Sequence, residues 1–350
     1  MQVITFGIDL AKNVFQIHGV DAAGHAVVKK QLKRNQVLPY FVNVAPATIG
    51  MEACSSAHYW ARKLQAMGHT VKLMAPQFVK PYVKGNKNDA NDAEAICEAV
   101  TRKSMRFVPI KTVEQQALLS LHCVRRGFVA KRTAEANRIR GLMGEFGLVI
   151  PQGIHYINEC ARDLIEDASN DEIPGLFRML IMRLLEHFQE LHRQVQELEL
   201  QIQTWHRNND ASRKLAAIPG IGPITASALI ASIGDAKNFK SGRELSAWLG
   251  LVPRQHSSGG KQNLLGISKR GDMYLRMLLV QGAHAVINAQ CCRKGAQEQA
   301  GWLPGLLKRR NHNVAAVAVA NKNARIAWAL LARDRQYVKE YSPDAPAALA

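Results

Sequence analysis

The sequence predicts an α/β region followed by an all-α region, and three features carry that prediction. Short alternating strands open the chain and then give way to strands that alternate with helices. A heptad seam runs from Phe177 to Trp205, and from Ala211 onward apolar helices are separated by Gly and Pro punctuation. The chain has 350 residues, more than one core of about 100–200 residues fills. The expected divisions are 1–110, 111–210 and 211–341, with an Ala/Pro tail over 342–350.

Residues 3–8 alternate into a strand, and 14–20 and 26–31 can return beside it across a hairpin turn at 21–24. A helix (35–44), a strand (48–51), a helix (57–67), a strand (71–74) and a helix (89–101) follow. Three meandering strands and then βαβα units describe an RNase H-like sheet. Residues 112–146 read as one basic helix carrying Arg125, Arg126, Lys131, Arg132, Arg138 and Arg140. Then Phe177, Ile181, Leu184, Phe188, Leu191, Val195, Leu198, Ile202 and Trp205 recur at steps of four and three, which is coiled-coil spacing. The seam fits a helical hairpin with 112–146, a dimer contact, or both at once, and 111–210 is expected to be a dimerisation region whose basic helix holds RNA. Beyond it, apolar helices are expected near 224–233, 274–288 and 314–331.

With 47% apolar and 21% charged residues the chain belongs with globular rather than disordered proteins. No apolar run is long enough for a membrane span, and the start lacks a basic segment leading into an apolar one. Six cysteines form no CxxC pair, so reduced thiols in the cytoplasm are expected. The 46 Lys and Arg against 28 Asp and Glu leave a net charge of +18. That excess favours a polyanion through counterion release, with nucleic acid the first candidate. It is concentrated after residue 211, where 20 basic residues face 7 acidic ones.

Acids are scarce before residue 110, numbering seven, and four of them fall at suggestive places. Asp9 ends the apolar run FGID, Glu52 follows the strand TIGM, and Asp89 and Asp92 share one face of a helix start. Four carboxylates so placed suggest a cage for hard cations, Mg²⁺ or Mn²⁺, of the kind that clamps the oxygens of phosphoryl transfer. For Asp89 and Asp92 alone, helix capping is the competing account, since NDANDAE is also a good start signal. IPGIGP at 218–223 resembles a helix-hairpin-helix turn, in which Gly220 and Gly222 let backbone N–H groups approach a phosphate; a ligand-free turn is the alternative. In GLVPRQHSSGGKQ, Ser257 and Ser258 precede two glycines, with Arg254, Lys261, Lys269 and Arg270 nearby. A basic loop presenting a hydroxyl suits attack on a phosphodiester, though SSGG by itself reads as a linker.

FGIDLAKNVF, MEA, NKNDANDAEAI, IPGIGPITASALIASIG, LSAWLGLVPRQHSSGGKQ and ARIAWALL occur in the order found in transposases of the bacterial insertion sequence 110 family, and the chain resembles its 1111 subgroup most. Where many members read EATG, this chain reads EACSSAHYW. The resemblance spans nearly the whole chain. It implies a DEDD recombinase with a RuvC-like N-terminal domain, a coiled coil and a C-terminal domain that supplies a catalytic serine. Carried over by position, the acids are Asp9, Glu52, Asp89 and Asp92 and the serine is Ser258. It further implies a structured guide RNA from the element's noncoding end, donor and target DNA as partners, a homodimer that is a tetramer when active, and nucleoid association in the cytoplasm. The competing functions are a Holliday-junction nuclease that uses the acids with water, and a non-enzymatic helix-hairpin-helix DNA-binding protein.

Overall fold

A computed structural model of the chain describes residues 2–86, 88–167, 173–292 and 301–338. The chain divides into two compact units, Met1–Glu114 and Gln115–Ala350.

In the first unit, β1 (Thr5–Leu10), β2 (Val14–Val20) and β3 (Ala26–Lys33) form the antiparallel meander that their alternation predicts. The turn between β2 and β3 is held by the Asp21 carboxylate, which accepts from the N–H groups of Ala23 and His25, both at 2.9 Å. Then follow α1 (Val37–Val42), β4 (Thr48–Glu52), α2 (Ala57–Gln65), β5 (Thr70–Met74), α3 (Pro76–Val79), α4 (Asp89–Val100) and β6 (Phe107–Val108). The sheet order is β3-β2-β1-β4-β5-β6, with β1, β4 and β5 parallel and the two-residue β6 antiparallel at the edge. The sequence pattern missed β6 and α3, which are too short to show a period.

The period-two alternation of a strand sends Phe6, Ile8, Ile49 and Met51 to one face, where they pack with Val37 and Phe41 of α1 and Trp60 and Leu64 of α2. Phe6 meets Phe41 edge-on at 5.3 Å and Phe15 meets Trp60 at 5.0 Å. The opposite face of β1 and β4 carries Gly7, Asp9, Gly50 and Glu52, and α4 lies over it. A Cβ on Gly7 would stand 2.2 Å from the Ala93 carbonyl oxygen and 2.4 Å from the Cys97 nitrogen; on Gly50 it would stand 2.8 Å from Val100 Cβ. Two glycines therefore let the helix backbone settle directly on the sheet.

The second unit opens with α5 (Val113–Gly144), α6 (Tyr156–Glu166) and α7 (Gly175–Arg207). Arg125 pairs with Glu199, Arg132 meets His192, and Glu135 meets His187. Rising numbers on α5 against falling numbers on α7 define an antiparallel helical hairpin. Phe177, Ile181 and Phe188 of the heptad seam are buried with Ile139 and Met143 of α5 and Ile157 and Ile165 of α6. Leu191, Val195 and Ile202 are buried as well. The structure packs these residues in a hairpin within one chain.

The remaining elements are α8 (Asp210–Ala216), α9 (Pro223–Ile233), α10 (Gly242–Trp248), β7 (Pro253–Gln255), β8 (Leu264–Ile267), α11 (Met273–Cys291), α12 (Trp302–Leu307) and α13 (His312–Ala332). Side chains of Asn209, Ser241, Asp272 and Asn311 cap the starts of α8, α10, α11 and α13. Leu229, Leu245, Leu275, Leu279, Ala316 and Ala320 build their common core. A 3₁₀ turn at Ala236–Asn238 is tied to α13 by the Trp328 indole N–H, which donates to the carbonyls of Ala236 and Phe239.

Candidate active site

Asp9 lies one residue from the end of β1 and Glu52 ends β4. The parallel register pairs Ile8 with Met51, so the next positions, Asp9 and Glu52, are neighbours on adjacent strands about 4.8 Å apart and point to the α4 face. Asp89 and Asp92 occupy the first turn of α4, just over that face. Carboxylate oxygens of Asp9, Asp89 and Asp92 lie within 4.8 Å of one another. Three of the four acids thus converge from elements 80 residues apart in sequence, and Glu52 stands beside them on the next strand without joining that close group.

Helix capping does not explain Asp89 and Asp92. The cap of α4 is Asn88, whose side-chain oxygen accepts from the Ala90 N–H at 2.7 Å. The aspartates sit within the turn and are left to the cluster. The local potential is negative enough to act on a neighbour: burial first, and then the charges of Glu52 and Asp9, push the Cys54 thiol above its usual range. Three carboxylates gathered within 4.8 Å of one another repel unless a counter-charge joins them. An all-oxygen, anionic donor set under such repulsion fits a hard divalent cation rather than a soft one.

The segment expected as a basic loop is a hairpin. Strands β7 and β8 pair antiparallel, the His256 N–H donates to the Asn263 carbonyl, and the Lys261 N–H donates to the Ser258 carbonyl at 3.0 Å. Gly259 (φ +54°) and Gly260 (φ +77°) occupy the two central positions of the tip, as a type I′ turn demands. Their role is to close this turn, and a Cβ on either would meet nothing within 4 Å. The Ser257 hydroxyl accepts from the Asn263 N–H at 3.1 Å, whereas the Ser258 hydroxyl, exposed at the tip, has no hydrogen-bond partner among the described residues. Arg254, Lys261, Lys269 and Arg270 are all exposed around it.

The basic helix is more committed to its own chain than its sequence suggests. Arg125 is tied to Glu199, Arg140 donates to the carbonyls of Pro151 and Gly153, and Arg132 meets His192. Arg138 pairs with Glu135 at 3.0 Å but stays mostly exposed, Arg126 lies over the Tyr274 ring, and Lys131 lies over Phe128. The solvent-facing cations of α5 are therefore Arg126, Lys131 and Arg138.

The turn between α8 and α9 has two unlike glycines. Gly220 (φ +86°) is pressed against α11, where an added Cβ would stand 2.6 Å from the Gly282 carbonyl oxygen; Gly222, the N-cap residue of α9, faces open space. Gly220 serves packing, and Gly222 leaves the α9 N-terminus accessible. Sequence reasoning also missed the part played by Gly7. Its signal was available, since a glycine inside the strand FGID marks a close backbone approach.

Residues 212–297 match the family described as Transposase IS116/IS110/IS902 family, and residues 6–147 match a second family, DEDD_Tnp_IS110, described as Transposase. The chain is 52% identical over 337 residues to the "Probable family 20 transposase" of Pseudomonas aeruginosa, covering 96% of this chain and 99% of the relative. It is 42% identical to the transposase for insertion sequence element IS1328 of Yersinia enterocolitica, covering 96% and 99%. It is also 42% identical to the transposase for insertion sequence element IS1111A of Coxiella burnetii, covering 95% and 90%.

Proposed function

Because the chain belongs to the IS116/IS110/IS902 family of transposases and is a DNA transposase, we propose that it cleaves and rejoins DNA with the carboxylates of Asp9, Glu52, Asp89 and Asp92 and the hydroxyl of Ser258. The observation that carries this reading is the convergence of Asp9, Asp89 and Asp92 on one face of the sheet. The four acids would hold Mg²⁺ or Mn²⁺. Such an ion, when bound, polarises a phosphoryl oxygen and offsets charge that develops on the phosphate.

The chain's own residues do the rest. The rigid strand ends fix Asp9 and Glu52, and α4 brings Asp89 and Asp92 to them, so the donor set is organised before substrate arrives. Ser258 Oγ attacks the scissile phosphorus: an Oγ–P bond forms, the P–O bond to the departing sugar breaks, the hydroxyl proton leaves to a nearby base, and the sugar oxygen takes up a proton. The strand is then held as a phosphoserine ester, and attack by another sugar hydroxyl reverses the chemistry onto a new strand. A hydroxyl at the hairpin tip with no partner among the described residues supports Ser258 over Ser257. Arg254, Lys261, Lys269 and Arg270 hold the DNA backbone there, as Gly222 does through the α9 N-terminus. Arg126, Lys131 and Arg138 face a structured guide RNA encoded by the same element, and two or four chains assemble for the reaction.

The test is denaturing electrophoresis of the protein with labelled donor DNA, guide RNA and divalent metal. Wild type leaves a slow-migrating protein–DNA adduct. Asp92→Ala abolishes cleavage, and Ser258→Ala keeps DNA binding but loses the adduct. An adduct that survives Ser258→Ala and disappears with Ser257→Ala moves the nucleophile one residue upstream. Metal-dependent cleavage indifferent to both serines turns the reading into a nuclease that uses water.

A further inference from the structure

Beside the β7–β8 hairpin, α13, α12 and the segment after α13 enclose an open cavity of about 1480 Å³. That exceeds the roughly 300–1,000 Å³ of small-molecule sites. Among the described residues its walls carry five cations, Arg243, Lys322, Arg325, Arg333 and Arg335, and no Asp or Glu. All five are exposed, and none forms an ion pair among the described residues. Of the described acids next to these walls, Asp334 pairs with Lys214, and Glu244 accepts from the Lys240 N–H. Uncompensated positive charge around a depression is the complement of a polyanion.

The floor is unlike that of a duplex-binding surface. Trp302, Trp328 and Tyr337 line it together with the apolar side chains of Leu265 and Ile267 from β8. Trp302 is 47% exposed, an unusual position for an indole, with Lys322 Nζ 4.6 Å from its ring centre; the Arg333 guanidinium lies 5.3 Å from the ring of Trp328. A phosphate backbone in B-form would meet only the cations and leave the aromatic surface empty. Unstacked bases would use both, their faces against the rings and their phosphates against the cations.

We propose that this cavity holds a short run of unpaired deoxynucleotides, using Trp302 and Tyr337 as stacking surfaces and Lys322, Arg325 and Arg335 as phosphate partners. The choice of DNA rests on the reading of the hairpin as the strand-transfer element, because β8 forms both the wall of this cavity and one arm of the hairpin that ends in Ser258. A strand opened at the cleavage point would be kept from re-pairing while its phosphate is presented at the tip.

The experiment uses the full chain and a fluorescent 12-nucleotide thymidine strand in which 5-iododeoxyuridine replaces one base. On wild type, photocrosslinks are expected on peptides containing Trp302 or Tyr337. Trp302→Ala should weaken single-strand binding at least fivefold, the loss of about one stacked base, and leave the affinity for a duplex of equal length unchanged. Lys322→Ala with Arg335→Ala should lower the slope of log K against log salt by about 1.4, roughly 0.7 for each phosphate that is no longer neutralised. If Trp302→Ala melts below wild type, Trp302→Phe, which keeps a ring, should restore both melting and binding. Crosslinks confined to other segments, equal losses for strand and duplex, or a Trp302 dependence seen with a uridine RNA strand and not with DNA would each overturn the proposal. Asp92→Ala should bind and crosslink like wild type, so a failure of the catalytic reading would leave this result standing, and the reverse.

Discussion

Replacing Gly7 by Ala tests how the acid cluster is built. The new Cβ would sit 2.2 Å from the Ala93 carbonyl oxygen and 2.4 Å from the Cys97 nitrogen, both backbone atoms of α4 that no side-chain rotation can move. Ordinary contact begins at 3.4 Å, so the helix must retreat by roughly 1.2 Å, with a stability cost of about 1–3 kcal/mol from overpacking. Ala93 directly follows Asp92, so the displacement falls on the helix turn that carries Asp89 and Asp92 toward Asp9. A misplacement of about 1 Å in a reacting constellation costs on the order of 100-fold in rate. Gly50→Ala is the control: its Cβ would meet the Val100 side chain at 2.8 Å, at the far end of α4 from the aspartates. Both variants should lower the melting temperature, but Gly7→Ala should lose metal-dependent strand cleavage far more than Gly50→Ala. Equal activity losses at equal stability, or a Gly7→Ala protein with wild-type cleavage, would refute the argument that this glycine sets the position of the cluster.

Other predictions concern the second unit. His122 is buried between Tyr274 and the Ser227 hydroxyl, each at 3.1 Å, and burial, followed by the charge of Arg125, holds its pKa down to about 4. A histidine depressed in the folded state favours unfolding when protonated, so its contribution is complete above about pH 6.5 and is lost as pH falls toward 4, by at most roughly 3 kcal/mol. Thermal melts of His122→Gln should show a shallower pH dependence than wild type over that window; parallel curves would remove His122 as the cause. Leu191→Glu places a charge at a site 5% exposed inside the helical hairpin, so sedimentation and circular dichroism should report disrupted helix packing rather than a folded, dissociated monomer. Gly220→Ala combines a positive φ with a Cβ 2.6 Å from the Gly282 carbonyl oxygen, and it should destabilise the second unit by several kcal/mol in denaturant unfolding, whereas Gly222→Ala should cost far less.

Periodicity alone determined the elements that are long or regular. The meander of β1 to β3, the parallel strands β4 and β5, and helices α4, α9, α11 and α13 were legible because a buried face repeats every two or every 3.6 residues. The grouping of Asp9, Asp89 and Asp92 could be anticipated because carboxylates are scarce in the first 110 residues and fall at strand ends and a helix start. A polyanionic partner was legible too, because a net charge of +18 attracts one however the chain is folded. What the pattern could not decide is which partner a surface meets. The heptad seam has the same spacing whether it packs on its own chain or on another, and the hairpin within the chain shows in the antiparallel pairs Arg125–Glu199, Arg132–His192 and Glu135–His187. The same holds for Arg132 and Arg140, basic in sequence and spent on neighbours in space. Ser257 and Ser258 are chemically alike as letters; the type I′ turn directs one exposed hydroxyl to the Asn263 N–H and leaves the other without a partner among the described residues. Asp9 and Asp89 are brought together because two glycines strip the sheet of the Cβ atoms that would hold α4 away, and that is a contact between backbones distant in sequence, which no local pattern encodes.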